Sequence, residues 1–114
     1  MTLIFKIAGA EEWRGAEQAG VFAGAPVDLA DGYIHFSTAA QVAETAARWF
    51  AGRDDLVLAA IEAEALGSVL RWEPSRGGAL FPHLYAPLSL SAVRWARPLM
   101  LGANGRHDFG SIGS

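Results

Sequence analysis

Apolar and other residues alternate where the chain opens. Leu3, Phe5 and Ile7 are interleaved with Ile4, Lys6 and Ala8, the period of two that gives a strand one buried face, with Lys6 turned away from that face. The period then lengthens. Ala10 to Ala19 follows the pattern of a short helix, with Glu11 and Glu12 in a first turn that favours negative charge, Trp13 and Ala16 on one face, and Gly20 as its stop. Val21 to Asp31 is interrupted by Gly24, Pro26, Asp28 and Asp31 and predicts a loop. Gly32 opens a short strand, Tyr33 to Phe36. Thr38 and Gln41 then form a capping box for a helix over 39–50, with Val42, Ala46, Trp49 and Phe50 as its buried stripe and Gly52 at its end.

Leu56 to Glu62 is apolar on both faces, which predicts a central strand. A helical turn at Glu64 to Gly67 precedes a strand at Val69 to Glu73, where Val69, Arg71 and Glu73 alternate with Leu70 and Trp72. Pro74 to Gly78 is a loop. Leu80 to Pro87 is extended but holds Pro82 and Pro87, which lack the N–H an inner strand needs. Val93 to Leu99 predicts a last edge strand ending near Pro98, and the small and polar residues from Gly102 onward predict a mobile tail over 102–114. These elements make a single α+β domain over 1–101, a small split sheet of mixed or antiparallel strands with flanking helices.

Composition narrows what such a domain does. Hydrophobic residues are 52% of the 114, enough for one core that stands without help. Cysteine is absent, which removes disulfides, thiolate nucleophiles and thiolate metal ligands together. A net charge of −3 with nine scattered Lys and Arg excludes bulk nucleic-acid binding. No run of about 18 apolar residues and no signal pattern occurs, so the expected location is the cytoplasm and no membrane is involved. No pattern sets an oligomeric state.

The candidate chemistry lies in two histidine segments. Strand alternation puts Tyr33, His35 and Ser37 on the face opposite Ile34 and Phe36. His35 also lies where a short strand turns into a capped helix, and an imidazole near free helix N–H groups suits an anion or a carbonyl oxygen. His83 and Tyr85 project to the same side of a backbone restricted by two prolines. Polar side chains on the less apolar faces of neighbouring strands need a common place to be satisfied, so His35, Ser37, Arg71, His83 and Tyr85 are expected to line one cavity, with Gly77 and Gly78 in a loop able to cover it. The structural alternative is that His35 makes one internal hydrogen bond and that His83 and Tyr85 only cover the core. No HExxH spacing supports a metal, no GxSxG elbow supports Ser37 or Ser75 with Asp28 or Asp31 as a triad, and no GxGxxG or GxxxxGK[ST] supports a nucleotide loop.

The runs Asp31 to Thr38 (DGYIHFST) and Phe81 to Leu88 (FPHLYAPL), with Arg71-Trp72-Glu73 between them, resemble a bacterial family of unknown function, the domain numbered 952, over Leu3 to about Leu99. That family is similar in turn to the ADP-ribosyltransferase fold and its RNA 2′-phosphotransferases, in which a histidine motif precedes a helix and a later apolar strand ends in an Ile-Asp pair. Here Tyr33-Ile34-His35-Phe36-Ser37 and Ala60-Ile61-Glu62 are the similar segments. The resemblance implies a cleft for NAD, or a related nucleotide, as a substrate, with ADP-ribosyl or 2′-phosphate transfer as the reaction. His35, His83 and Arg71 would be catalytic, with Lys6, Tyr33, Ser37, Thr38 and Tyr85 around the ligand. Lys6 stands where that fold's first strand carries His or Arg. A non-catalytic ligand-binding or protein-interaction domain is the alternative.

Overall fold

The computed structural model describes residues 2–110 and 112, with the side chain of Arg76 also outside the description. Strand β1 (Leu3–Gly9) leads into helix α1 (Ala10–Ala19), which stops at Gly20 in a left-handed conformation, φ 80°. Val21 to Asp31, expected as loop, folds instead into strand β2 (Val21–Phe22) and helix α2 (Pro26–Asp31). The breakers themselves build that helix. Pro26 sits in its first turn, where a missing N–H costs nothing, Asp28 accepts from the Ala25 N–H at 2.8 Å, and Gly32 ends the helix at φ 89°.

The strand expected over Tyr33 to Phe36 divides into β3 (Ile34–His35) and β4 (Ser37–Thr38), which belong to different sheets. Helix α3 (Val42–Trp49) begins three residues later than the pattern suggests, with half of the capping box present as Thr38 N–H donating to Gln41 Oε1 at 3.0 Å. Val42 and Ala46 are buried, but Phe50, not the exposed Trp49, fills that end of the core. The remaining strands are β5 (Leu56–Glu62), β6 (Leu70–Pro74), β7 (Leu80–Leu84), β8 (Leu88–Ser89), β9 (Val93–Leu101) and β10 (His107–Asp108), with 3₁₀ turns at Ala63–Val69, Arg76–Gly78 and Leu90–Ala92.

Among the described residues three sheets result, in the orders β10-β9-β5-β1-β4, β3-β7-β6 and β2-β8, and their pairings are antiparallel. The chain is therefore a mixed α+β fold on antiparallel sheets. The five-stranded sheet is covered on both faces. Phe5, Ile7, Leu56, Leu58 and Leu99 pack with Val42 and Ala46 of α3 on one side, while Ile4, Ala8 and Ile61 pack with Trp13, Phe22, Ile34, Phe36 and Leu84 on the other. Strand β5 is central, as its two apolar faces require. Strand β1 lies beside it and is also buried on both faces, so Lys6 points into a core rather than away from one.

Two further expectations change. Leu80–Leu84 is the middle strand of its sheet despite Pro82. The Pro82 carbonyl accepts from Phe36 N–H at 3.0 Å, and the nitrogen of an extended residue shares the side of its carbonyl, so the missing N–H falls where β3 has ended and needs no partner. Strand β9 runs through Pro98 to Leu101 and is not an edge, since β10 pairs with its Met100 and Leu101; of the tail expected over 102–114, positions 111, 113 and 114 lie outside the described residues. Phe109 packs on the core and its carbonyl accepts from Arg97, while His107 Nε2 lies 2.7 Å from the Arg53 carbonyl.

Candidate functional site

The register of the three-stranded sheet builds a row of side chains. His35 lies opposite His83 across β3 and β7, and His83 lies opposite Arg71 across β7 and β6, so one face carries the three groups side by side. The imidazole centroids are 5.6 Å apart. Tyr33 stacks against both, at 4.7 Å from His35 and 4.2 Å from His83, and lies 5.1 Å from Tyr85. The Arg71 guanidinium sits 4.7 Å from the centre of the Tyr85 ring, a cation held over an aromatic face.

Each histidine is held through Nδ1 by a carboxylate. His35 Nδ1 lies 2.6 Å from Asp28 Oδ1 and His83 Nδ1 lies 2.8 Å from Glu73 Oε1. Asp28 is buried and accepts three further hydrogen bonds, from Lys6 Nζ at 3.1 Å, from the His35 N–H at 3.1 Å and from Ala25, and its Oδ2 also pairs with the Lys6 ammonium at 3.0 Å. Burial alone would raise this carboxyl, but the His35 hydrogen bond, the Lys6 charge and the Ala25 N–H outweigh it and hold the group at about 2. Lys6, donating also to the His35 carbonyl at 3.0 Å, has its ammonium pushed down by burial, against the pull of Asp28. On the outer side, His35 Nε2 lies 2.9 Å from Asp31 Oδ2. Glu73 also accepts from the Tyr85 hydroxyl at 2.7 Å; the bonds from His83 and Tyr85 hold the carboxyl below its usual range, and the bond to Glu73 pushes the Tyr85 phenol up.

His35, His83, Arg71, Tyr33 and Tyr85 are thus brought together, and Lys6 supports them from beneath through Asp28. Ser37 and Thr38 are not among them. Phe36 carries the chain from one sheet to the other, so the alternation that would align Ser37 with His35 ends at the crossing; the Ser37 hydroxyl is buried, 2.9 Å from Thr45 Oγ1. The five residues expected to share a cavity do not all line one. A shallow depression of about 260 Å³ adjoins the row, walled by Tyr33, Tyr85, Leu29, Ala86 and Pro87, with neither histidine in its lining. Asp28 and Asp31 entered the reading of the residues only as partners in a triad that lacks its elbow, and Glu73 not as a site residue at all. Asp31 and Glu73 did carry signals: Asp31 is four positions before His35, and Glu73 shares a strand face with Arg71.

A family model described as a protein of unknown function, DUF952, matches residues 7–96. The chain belongs to this family. The histidine segments, the Arg71 strand and Asp28 all fall within the matched span of the DUF952 domain. The crystal structure of protein CC0527 from Caulobacter crescentus is similar at 54% identity over 94% of each chain, with a TM-score of 0.90. The solution structure of CC0527 is similar at 56% identity over 93% of this chain and 91% of that one, with a TM-score of 0.83. A search among curated proteins returns no match. Within the described residues, no helix is long and apolar enough to cross a membrane.

Proposed function

We propose that this DUF952 domain binds NAD or a related nucleotide at the His35–His83–Arg71 row and catalyses group transfer at it, on a scaffold of the ADP-ribosyltransferase and RNA 2′-phosphotransferase kind. The observation that carries the reading is the pair of imidazoles, 5.6 Å apart and each anchored at Nδ1 by a carboxylate. A histidine oriented by a carboxylate is the usual form of a general acid or base. Tyr33 and Tyr85 offer aromatic walls to a planar base at the adjoining depression, and Arg71 presents a guanidinium suited to a phosphate. Lys6, buried beneath, acts on the site only through Asp28 and the His35 carbonyl.

Thermal shift with NAD, AMP and ribose 5-phosphate tests the reading. A nucleotide at a hundred times its dissociation constant adds roughly 2.7 kcal/mol of stability, a rise of several degrees for a domain of this size. Arg71→Ala abolishes the ribose 5-phosphate shift and weakens that of AMP. If no nucleotide moves the melting temperature or the amide signals of β3 and β7, the reading falls. The alternative of a non-catalytic interaction domain then gains, and the exposed Val27 and Leu29 of α2 favour it as an apolar contact surface beside the depression.

A further inference from the structure

Resting on the reading of His35 as a proton-transfer group, we infer that Asp28 is a positioning residue: it keeps a proton on His35 Nδ1, so that Nε2, which donates to Asp31 only while the ring carries both protons, is the nitrogen left bare to meet the ligand when the ring is neutral. The Asp28 side chain is 1% exposed; the residue stands at the wall of the depression and meets the row at His35.

The geometry of Asp28 leaves it one role toward His35. Its Oδ1 lies 2.6 Å from Nδ1 and also accepts from the His35 backbone N–H at 3.1 Å, so one oxygen grips the residue at side chain and main chain together. The Ala25 N–H donates to the other oxygen at 2.8 Å, and the Lys6 ammonium bridges the two, donating to Oδ1 at 3.1 Å and lying 3.0 Å from Oδ2. A carboxylate so supplied with donors accepts and cannot donate, and its fixed position selects the Nδ1–H tautomer of the neutral imidazole. Lys6 belongs to the same device. As a buried cation in contact with Asp28 it opposes protonation of that carboxyl, and without such a partner a buried carboxylate would be costly.

The outer nitrogen has the opposite setting. Asp31 is about half exposed, while the Asp28 side chain is 1% exposed, and an exposed pair of this kind is held weakly. A ligand hydroxyl arriving over Tyr33 would donate to the bare Nε2 and displace Asp31 at little cost, whereas Nδ1 is taken by Asp28. His83 is built in parallel, its Nδ1 held by Glu73 and its other nitrogen without a hydrogen-bond partner among the described residues. The two imidazoles of the row are therefore held in the same sense, each with Nδ1 on a carboxylate.

Long-range proton–nitrogen NMR of the histidine rings tests this directly, since it distinguishes a protonated ring nitrogen from a bare one without any ligand. In the wild type, titrated until the imidazole is neutral, His35 is expected as the Nδ1–H form; an Nε2–H form overturns the inference. The double variant Asp28→Leu with Lys6→Met removes both buried charges at once, so no ion is stranded, and its fold is checked by circular dichroism. There the proton should move to Nε2, facing Asp31, and retention of Nδ1–H would show that Asp28 is not its cause. Should the double variant not fold, the wild-type spectrum still decides. Asp31→Ala should keep the Nδ1–H form and bind NAD at least as tightly; a tenfold weaker affinity would show Asp31 contacting the ligand, against the displacement proposed. A wild type with Nδ1–H but no response to any nucleotide sinks the proposed function and leaves the tautomer assignment standing.

Discussion

At the scale of single residues, Asp28 has the largest electrostatic consequence. Its folded value of about 2 lies below the ordinary 3.8, so folding favours the ionised carboxylate. The resulting stabilisation is complete above about pH 4 and is lost as the pH falls toward 2. At 1.36 kcal/mol per unit this is about 2 to 3 kcal/mol, and the near-complete burial of the group leaves it little screened. Urea unfolding followed from pH 7 to pH 2.5 should show this loss in the wild type. In Asp28→Asn the loss should be missing, on a baseline at pH 7 already lowered by about 3 to 5 kcal/mol, because Lys6 is then buried without its counter-charge. An unchanged acid profile in the variant would assign the loss to other carboxylates.

At the scale of elements, the site depends on how α2 hands the chain to β3. Six residues are too few for a helix to stand alone, so α2 is held by its ends, Pro26 in the first turn and Gly32 after the last. Gly32 turns the chain at φ 89°, with no atom of the described residues within 4 Å of the place where a side chain would begin. The barrier to substitution there is backbone conformation alone. Gly32→Ala should cost about 1 to 2 kcal/mol and lower the melting temperature by several degrees, with amide shifts concentrated from Asp28 to His83. A variant as stable as the wild type would mean that the turn relaxes to a negative φ without disturbing His35.

The whole molecule is organised by the burial of both faces of one sheet. Leu58, fully buried at the middle of β5, packs with Phe5, Ile7, Val42 and Leu99. Leu58→Ala should cost about 2 to 5 kcal/mol through lost transfer energy and the cavity left behind, a large part of the roughly 5 to 15 kcal/mol that holds a domain of this size. Denaturant titration should show a lower midpoint at unchanged slope. A loss below about 1 kcal/mol would indicate that α3 settles into the space. Because His35 and His83 lie on the other sheet, the variant at partial denaturation should keep the tautomer of its folded fraction.

The elements legible in the residues alone were those whose pattern is local and long enough to count. The apolar run of β5 announced a central strand because both of its faces are apolar, and α1 carried its acidic start, its Trp13 stripe and its Gly20 stop in ten consecutive positions. The histidine segments were legible as a candidate site for a similar reason, since two prolines and a short alternation fix which side chains share a face. What the chain could not declare was anything that depends on a partner distant in sequence. Lys6 reads as an outward strand residue until β4 and β5 flank it and Asp28 meets it; Ser37 reads as a neighbour of His35 until Phe36 crosses between sheets. Pro82 is unsuited to an inner strand on local grounds, yet it is tolerated where the neighbouring strand has stopped. A side chain's period determines the face it can occupy, but burial, charge pairing and register are settled only when the whole molecule closes around it.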